Sequence, residues 1–189
     1  MAKHKLGVIV GSNRRDSLNR KLAMALMRLG ADDFDAKLIR IDDLPLYNQD
    51  LEAALPESVS HFKAQIEAND GLLFVTPEHS RSIPAVLKNA IDWGARPYGK
   101  NSWTGKPAAI TGTSPGAIGT AVAQQHLRQI LGVLGMQVMG GEAYVTFKPD
   151  LVDAAGAVSD AGTEKFLKAY LDQFATLVGR FAAARQTAA

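Results

Sequence analysis

The apolar run Leu6-Gly-Val-Ile-Val10 stops at Gly11-Ser12, the pattern of a buried strand that meets a loop. From residue 17 to 29 the period changes: Leu18, Leu22, Ala25, Leu26 and Leu29 recur at helical spacing, with Ser17 or Asp16 placed to cap. The opening unit reads strand, loop, helix. Further strands are predicted over 36–41, 71–75 and 107–111, with a fifth over 136–139 and 144–147. Helical patterns over 56–68, 83–93, 117–134 and 163–181 separate most of them or follow, and the tail 182–189 is expected to fray.

Continuous apolar strands alternating with amphipathic helices predict an α/β fold, a parallel sheet covered on both faces and joined by right-handed crossovers. Five strands in 189 residues suit a flavodoxin-like, doubly wound sheet of order 2-1-3-4-5. In that arrangement the ligand lies beyond the carboxyl ends of the strands, so the chemistry is sought in the loops after strands one, three and four. No repeat, low-complexity segment or linker interrupts the chain, and a single domain is expected over 1–189.

Composition narrows the chemistry. Lys and Arg total 21 against 19 Asp and Glu, a net charge of +2, too small to imply a nucleic-acid partner; any anion site must be local. The absence of cysteine excludes disulfides, thiolate zinc sites, cysteine nucleophiles and dithiol redox chemistry, so redox chemistry would need a bound cofactor. Met1-Ala-Lys-His-Lys runs into an apolar stretch shorter than a signal-peptide core, and no run approaches the roughly 20 residues of a membrane span. A cytoplasmic protein without a membrane partner is expected. His4, His61, His79 and His126 fall on different elements with no ligand spacing, so no metal site is expected.

The loop after strand one, Gly11-Ser12-Asn13-Arg14-Arg15-Asp16-Ser17-Leu18-Asn19, brings hydroxyls, an amide and a guanidinium to the start of a helix, as a phosphate requires. A polar loop with an N-cap serine is the alternative. G-x-G-x-x-G is absent, and the nearest approach to a P-loop, around Gly105-Lys106-Pro107, has Pro where Ser or Thr should hold magnesium. After strand three, Thr76-Pro77-Glu78-His79-Ser80-Arg81-Ser82-Ile83-Pro84 is stiffened by two prolines and suits a loop that holds backbone amides against a planar ring. Surface groups are the alternative for His79 and Arg81. After strand four, Gly112-Thr113-Ser114-Pro115-Gly116 matches a nucleophile elbow, but Pro115 lacks the N–H that an oxyanion hole would need there.

Together these loops, with Leu87-Lys88-Asn89-Ala90-Ile91-Asp92-Trp93 and His126-Leu127-Arg128-Gln129-Ile130-Leu131, resemble the NADPH-dependent FMN reductase family, bacterial flavoproteins that include quinone and chromate reductases. The most specific matches are Gly11-Ser12-x-Arg14-x-x-Ser17-x-Asn19, Pro77-Glu78 with Ser82-x-Pro84, and the loop from Ser114 to Gly119; the resemblance runs from Leu6 to about Phe181. It implies noncovalent FMN and a hydride taken from NADPH or NADH at flavin N5. The electrons would then pass, in a ping-pong cycle, to a small-molecule acceptor such as a quinone, azo compound, free flavin or metal oxyanion. The resemblance assigns Ser12, Arg14, Ser17, Leu18 and Asn19 to the cofactor at its phosphate. It assigns Pro77, Glu78, His79 and Ser80, with Ser114 and Gly116 opposite, to the ring. Arg81 is the candidate for steering an anionic cofactor or acceptor.

The flavin carries the chemistry, so no catalytic side chain is implied. The chain departs from the family at His79-Ser80, where Tyr-Asn is usual, and at Ala85, where Gly is usual; both bear on redox tuning and acceptor choice. A homodimer or homotetramer is implied. Arg128 and Glu142 match positions that pair between subunits in the chromate-reductase branch, an internal salt bridge or solvated charges being the alternative. A flavodoxin-type electron carrier without NAD(P)H activity is the competing reading; the near-neutral to basic charge favours the enzyme.

Overall fold

Strand β1 (His4–Val10) is buried at its last five residues and β3 (Gly71–Val75) at all five, so neither has a face for solvent. Such strands need a layer on each side. The computed structural model of the chain describes residues 3–187, with side chains through residue 184. The remaining elements are α1 (Leu18–Leu29), β2 (Phe34–Ile39), a 3₁₀ turn (Gln49–Ala53), α2 (Glu57–Glu67), α3 (Ala85–Ala95) and β4 (Pro107–Ser114), followed by α4 (Ala121–Val133), β5 (Gln137–Val138), β6 (Ala143–Thr146) and α5 (Ala161–Thr187). The sheet is parallel in order β2-β1-β3-β4-β5, with β6 also on β4, as the flavodoxin-like expectation has it. One apolar layer joins the sheet to α1 and α5 through Leu22, Leu26, Leu171 and Phe174. The other joins it to α2, α3 and α4 through Phe62, Leu87, Ile91 and Leu127, with Trp103 fully buried among them.

Several boundaries differ from the sequence reading. β2 lies two residues earlier than 36–41, because Phe34 is buried against Phe174 of α5, ring centroids 5.8 Å apart, and His4 N–H donates to Asp33 O at 3.0 Å. Helix α4 starts at Ala121 rather than 117, since residues 115–120 form a turn in which Gly119 takes φ of +62°. Helix α5 extends to Thr187, through most of the tail expected to fray; residues 188–189 lie outside the described part.

The fifth strand is split. Three steps along β4, from Ala108 to Thr111, face five steps from Val138 to Ala143, so the chain bulges away between β5 and β6. Gly141, with φ of +83°, makes that bulge possible. The gap leaves Ile110 without a ladder partner on that side, and the Tyr170 hydroxyl of α5 fills it, donating to Ile110 O at 2.7 Å and accepting from Ile110 N–H at 3.1 Å. The Arg128 guanidinium closes the bulge from α4 by donating to Met139 O at 2.7 Å and to Gly141 O. Glu142 accepts instead from Gln125, so among the described residues no ion pair links Arg128 to Glu142 within the chain.

At the carboxyl end of the sheet, β4 passes close to the loop after β3. A Cβ on Gly112 would lie 2.0 Å from Thr76 O and 2.4 Å from Thr120 Oγ1, and a backbone carbonyl cannot swing aside. Gly112→Ala is expected to cost about 3 kcal/mol, near the top of the usual overpacking range, seen as a drop of roughly 10 °C in thermal unfolding. Gly132→Ala in α4, where a Cβ meets nothing within 4 Å, is expected to be neutral or stabilising in the same measurement.

Candidate functional site

β1 delivers the chain to a tight turn. Gly11 N–H donates to Val75 O at 2.9 Å, and a Cβ there would lie 2.7 Å from Thr76 Oγ1. Ser17 is the N-cap of α1, extended and accepting from Arg20 N–H at 3.2 Å, which confirms Ser17 over Asp16 in that role. Ser12 Oγ accepts from Arg14 N–H at 3.3 Å and keeps its own proton to donate. The N–H groups of Leu18 and Asn19, in the first turn, have no acceptor among the described residues, and that turn holds no acidic residue. This end of α1 therefore presents donors and a positive dipole end.

The Asn19 side chain is engaged elsewhere. It is buried, donates to Thr113 O and accepts from Thr113 N–H, both at 2.9 Å, so it ties α1 to β4 across the intervening β3. What Asn19 offers a ligand is its backbone N–H.

The loop after β3 is held by similar devices. Thr76 N–H donates to Thr111 O at 3.0 Å, and His79 and Ser82 exchange backbone hydrogen bonds of 3.0 and 2.9 Å. Ser80 and Arg81 between them take φ of 50° and 61°, a left-handed pair with no glycine, which local preference disfavours. Glu78 supplies the restraint. Its carboxylate, 8% exposed, accepts from the Val122 and Ala123 N–H groups at 3.0 and 3.1 Å and from the Arg81 guanidinium at 2.8 Å. Helix α4 receives no side-chain cap from Thr120, so Glu78 caps it from a loop 44 residues earlier. Burial pushes the Glu78 carboxyl up, but the two N–H donors and Arg81 outweigh it and hold the group below the ordinary carboxylate value. His126 of α4 braces the same loop by a 3.2 Å hydrogen bond to Ser82. In the loop after β4, the Ser114 hydroxyl donates to Gly119 O at 2.7 Å and accepts from Gly116 N–H at 3.2 Å, so it is occupied in shaping its own turn.

The three loops enclose a cavity of about 320 Å³ whose walls include Ser12, Arg14, Ser17, Leu18, Asn19, Pro77, Glu78, His79 and Ser114. Ser80, Arg81 and Gly116 line an adjoining cavity of about 510 Å³, with Ile118; Glu78 and Ser114 border both. All twelve residues singled out in the sequence thus gather at two contiguous spaces. Asn13, Pro84, Val86, Thr113 and Pro115 line the first cavity too and were not among them. Thr113 is buried in β4, and its hydroxyl has no partner among the described residues.

Comparison with known proteins agrees with this architecture. The family model for NADPH-dependent FMN reductases matches residues 4–150. A 2-hydroxy-1,4-benzoquinone reductase from a Burkholderia species is 48% identical, covering 92% of this chain and 96% of that protein. A quinone reductase of Pseudomonas putida is also 48% identical, over 93% and 95%. Among solved structures, FerB, a flavoenzyme NAD(P)H:(acceptor) oxidoreductase from Paracoccus denitrificans, superposes with a TM-score of 0.91 at 46% identity, covering 94% of this chain and 98% of that one. The flavodoxin-like sheet with its ligand cavity at the switch point is therefore that of an FMN-dependent NAD(P)H oxidoreductase. The chain belongs to the NADPH-dependent FMN reductase family.

The donor set fits FMN. Two hydroxyls, the exposed Arg14 guanidinium and the open N–H groups of α1 suit a phosphate dianion. Pro77, Pro84 and Val86 offer flat apolar surface, and the unpartnered Thr113 hydroxyl offers a polar contact in the same wall.

Because the Glu78 carboxyl is lowered in the fold, its contribution to stability is fully present above the ordinary carboxylate range and is lost as pH falls through its folded value. Glu78→Gln is expected to cost about 1–3 kcal/mol at pH 7, the scale of hydrogen bonds to a charged group. The difference from the parent should begin to shrink as pH falls below the ordinary carboxylate value, about 4.3, and vanish only below the lower folded value. Urea unfolding across that pH range measures it.

Proposed function

We propose that this chain is a quinone reductase, which takes a hydride from NADPH or NADH and returns two electrons to a quinone-class acceptor. The observation that carries the reading is the contiguity of the two cavities at Glu78 and Ser114, which sets a space for an oxygen-bearing ring beside the space for a flavin. The names of the Burkholderia and P. putida relatives support the same acceptor class. When bound, FMN supplies the two-electron chemistry.

The chain's own residues bind and orient. Ser12, Arg14, Ser17 and the N–H groups of Leu18 and Asn19 would hold the phosphate. Backbone of the Pro77–Ser80 loop and of the Ser114–Gly116 turn would border the ring, and His79 is an exposed residue of the cavity wall. Arg81, 65% exposed while anchored to Glu78, presents fixed positive charge to the acceptor space, and Ile118 presents an apolar wall there. None of these groups has to act as a nucleophile or strong acid.

Further parts of the reading are that residues 1–189 form one flavin-binding domain, that it assembles as a homodimer or homotetramer, and that it works in the cytoplasm. Leu46, Tyr98 and Val133, each more than 80% exposed, supply apolar surface for self-association. Among the described residues no helix is long and apolar enough to cross a membrane.

The test is an anaerobic absorbance titration of protein reconstituted with FMN and desalted. The retained flavin is expected to bleach on adding NADPH and to recover on adding 1,4-benzoquinone. Retention without bleaching by NADPH or NADH would instead indicate an electron carrier, and loss of flavin on desalting would remove the assigned site. Arg14→Gln is expected to weaken FMN retention about tenfold or more, the loss of one charge-assisted contact, read by equilibrium dialysis.

A further inference from the structure

β2 ends at Ile39, and the chain then lays Arg40, Ile41 and Asp42 along the outer side of the first loop. With Arg14, Arg15 and Arg20 they bound a groove of about 470 Å³. Ser12, Asn13 and Arg14 form a wall of this groove and of the cavity assigned to the flavin, so the two spaces lie on opposite sides of one short segment. The groove's floor is apolar, from Val10, Ile39 and Ile41, all buried.

Its rim is cationic. Arg40 grips Asp42 with two hydrogen bonds, Nε to Oδ1 at 3.1 Å and Nη2 to Oδ2 at 3.3 Å, which restrains the exposed guanidinium in the groove's lining. Arg14, Arg15 and Arg20 form no ion pair within 4.0 Å among the described residues, although the Arg40 hydrogen bond and then the charges of Arg40 and Arg20 help to lower the Asp42 carboxyl. Asp42 is the single acidic residue that lines the groove, flanked in sequence by Asp43 and, in the first loop, by Asp16.

This combination has a definite complement. An apolar floor lined also by a guanidinium that its carboxylate restrains accepts a heterocyclic base by packing and by cation–π contact. Arg15 and Arg20, neither of them assigned to the flavin phosphate, accept a further phosphate. A carboxylate and an arginine just past the second strand occupy the place where nucleotide-binding parallel sheets read the ribose 2′ position, the acid for a hydroxyl and the arginine for a phosphate.

We infer that this groove is a second nucleotide subsite, which binds the phosphorylated adenosine end of a dinucleotide next to the flavin phosphate. The inference rests on the flavin reading of the adjoining cavity. Two dinucleotides carry that chemistry here: NADPH, through its 2′-phosphoadenosine, and FAD, through the ADP beyond its flavin.

Isothermal titration of the FMN-loaded protein with 2′,5′-ADP, 5′-ADP and adenosine tests it, beside the double variant Arg15→Gln/Arg20→Gln. The expected result is that one or both adenosine phosphates bind at least tenfold more tightly than adenosine, that the variant loses at least tenfold of that affinity, and that FMN retention on desalting is unchanged. If NADPH is the source, 2′,5′-ADP binds better than 5′-ADP and competes with NADPH, and the variant raises KM for NADPH more than for NADH at constant kcat. If FAD is the source, 5′-ADP binds at least as well as 2′,5′-ADP, and the variant weakens retention of FAD but not of FMN. Adenosine phosphates that bind no better than adenosine, or a variant indistinguishable from the parent, would overturn the subsite. Failure to retain FMN counts against the flavin assignment alone, because the adenosine-phosphate titration is still read on the flavin-free protein.

Discussion

One carboxamide fixes the geometry of the whole carboxyl edge. Asn19 sits on the helix that follows β1, yet it hydrogen-bonds both backbone groups of Thr113 on β4, with β3 lying between. A buried amide left unpaired costs enough that this contact admits little slippage. The first and third loops are thereby set at a constant separation. Glu78 does the same for the second loop, binding it to the first turn of α4 and hence to the turn that precedes it. The walls of the cavity among the three loops are thus set by contacts within the protein, the form of preorganisation that a bound cofactor needs.

The same two residues show where reading the sequence stops. Strand and helix alternation, the order of the sheet and the three loops were all legible, because apolar periodicity reports burial directly. The resemblance then placed twelve residues that the fold brings to two adjoining spaces. It did not tell which polar groups face a ligand and which face the scaffold. Asn19 and its partner are 94 positions apart, Glu78 and its helix 44, and no local pattern encodes such distances. Thr113 was hidden because threonine is an ordinary strand residue, so its spare hydroxyl carried no signal. The start of α4 was misplaced because Ala117 and Ile118 are apolar at helical spacing, whereas the Ser114 and Gly119 contacts that hold the turn are specific to the fold.

The shape of the second loop does not come from local preference. Two consecutive left-handed residues without glycine, Ser80 and Arg81, persist because the His79–Ser82 backbone bonds, the Glu78–Arg81 ion pair and the His126–Ser82 contact bracket them. The lowered carboxyl of Glu78 follows from that restraint, since the N–H groups of α4 and the Arg81 guanidinium that hold the loop are also what lower it.

Tyr170 extends this dependence to the order in which the chain becomes whole. Its hydroxyl, from the last helix, is the partner of both backbone groups of Ile110 that the split fifth strand leaves bare. During synthesis from the amino end, every strand of the sheet is made before that hydroxyl exists. The central strand that carries the third loop therefore keeps two open polar groups in its interior until α5 docks, and the nascent sheet closes only when its final segment arrives.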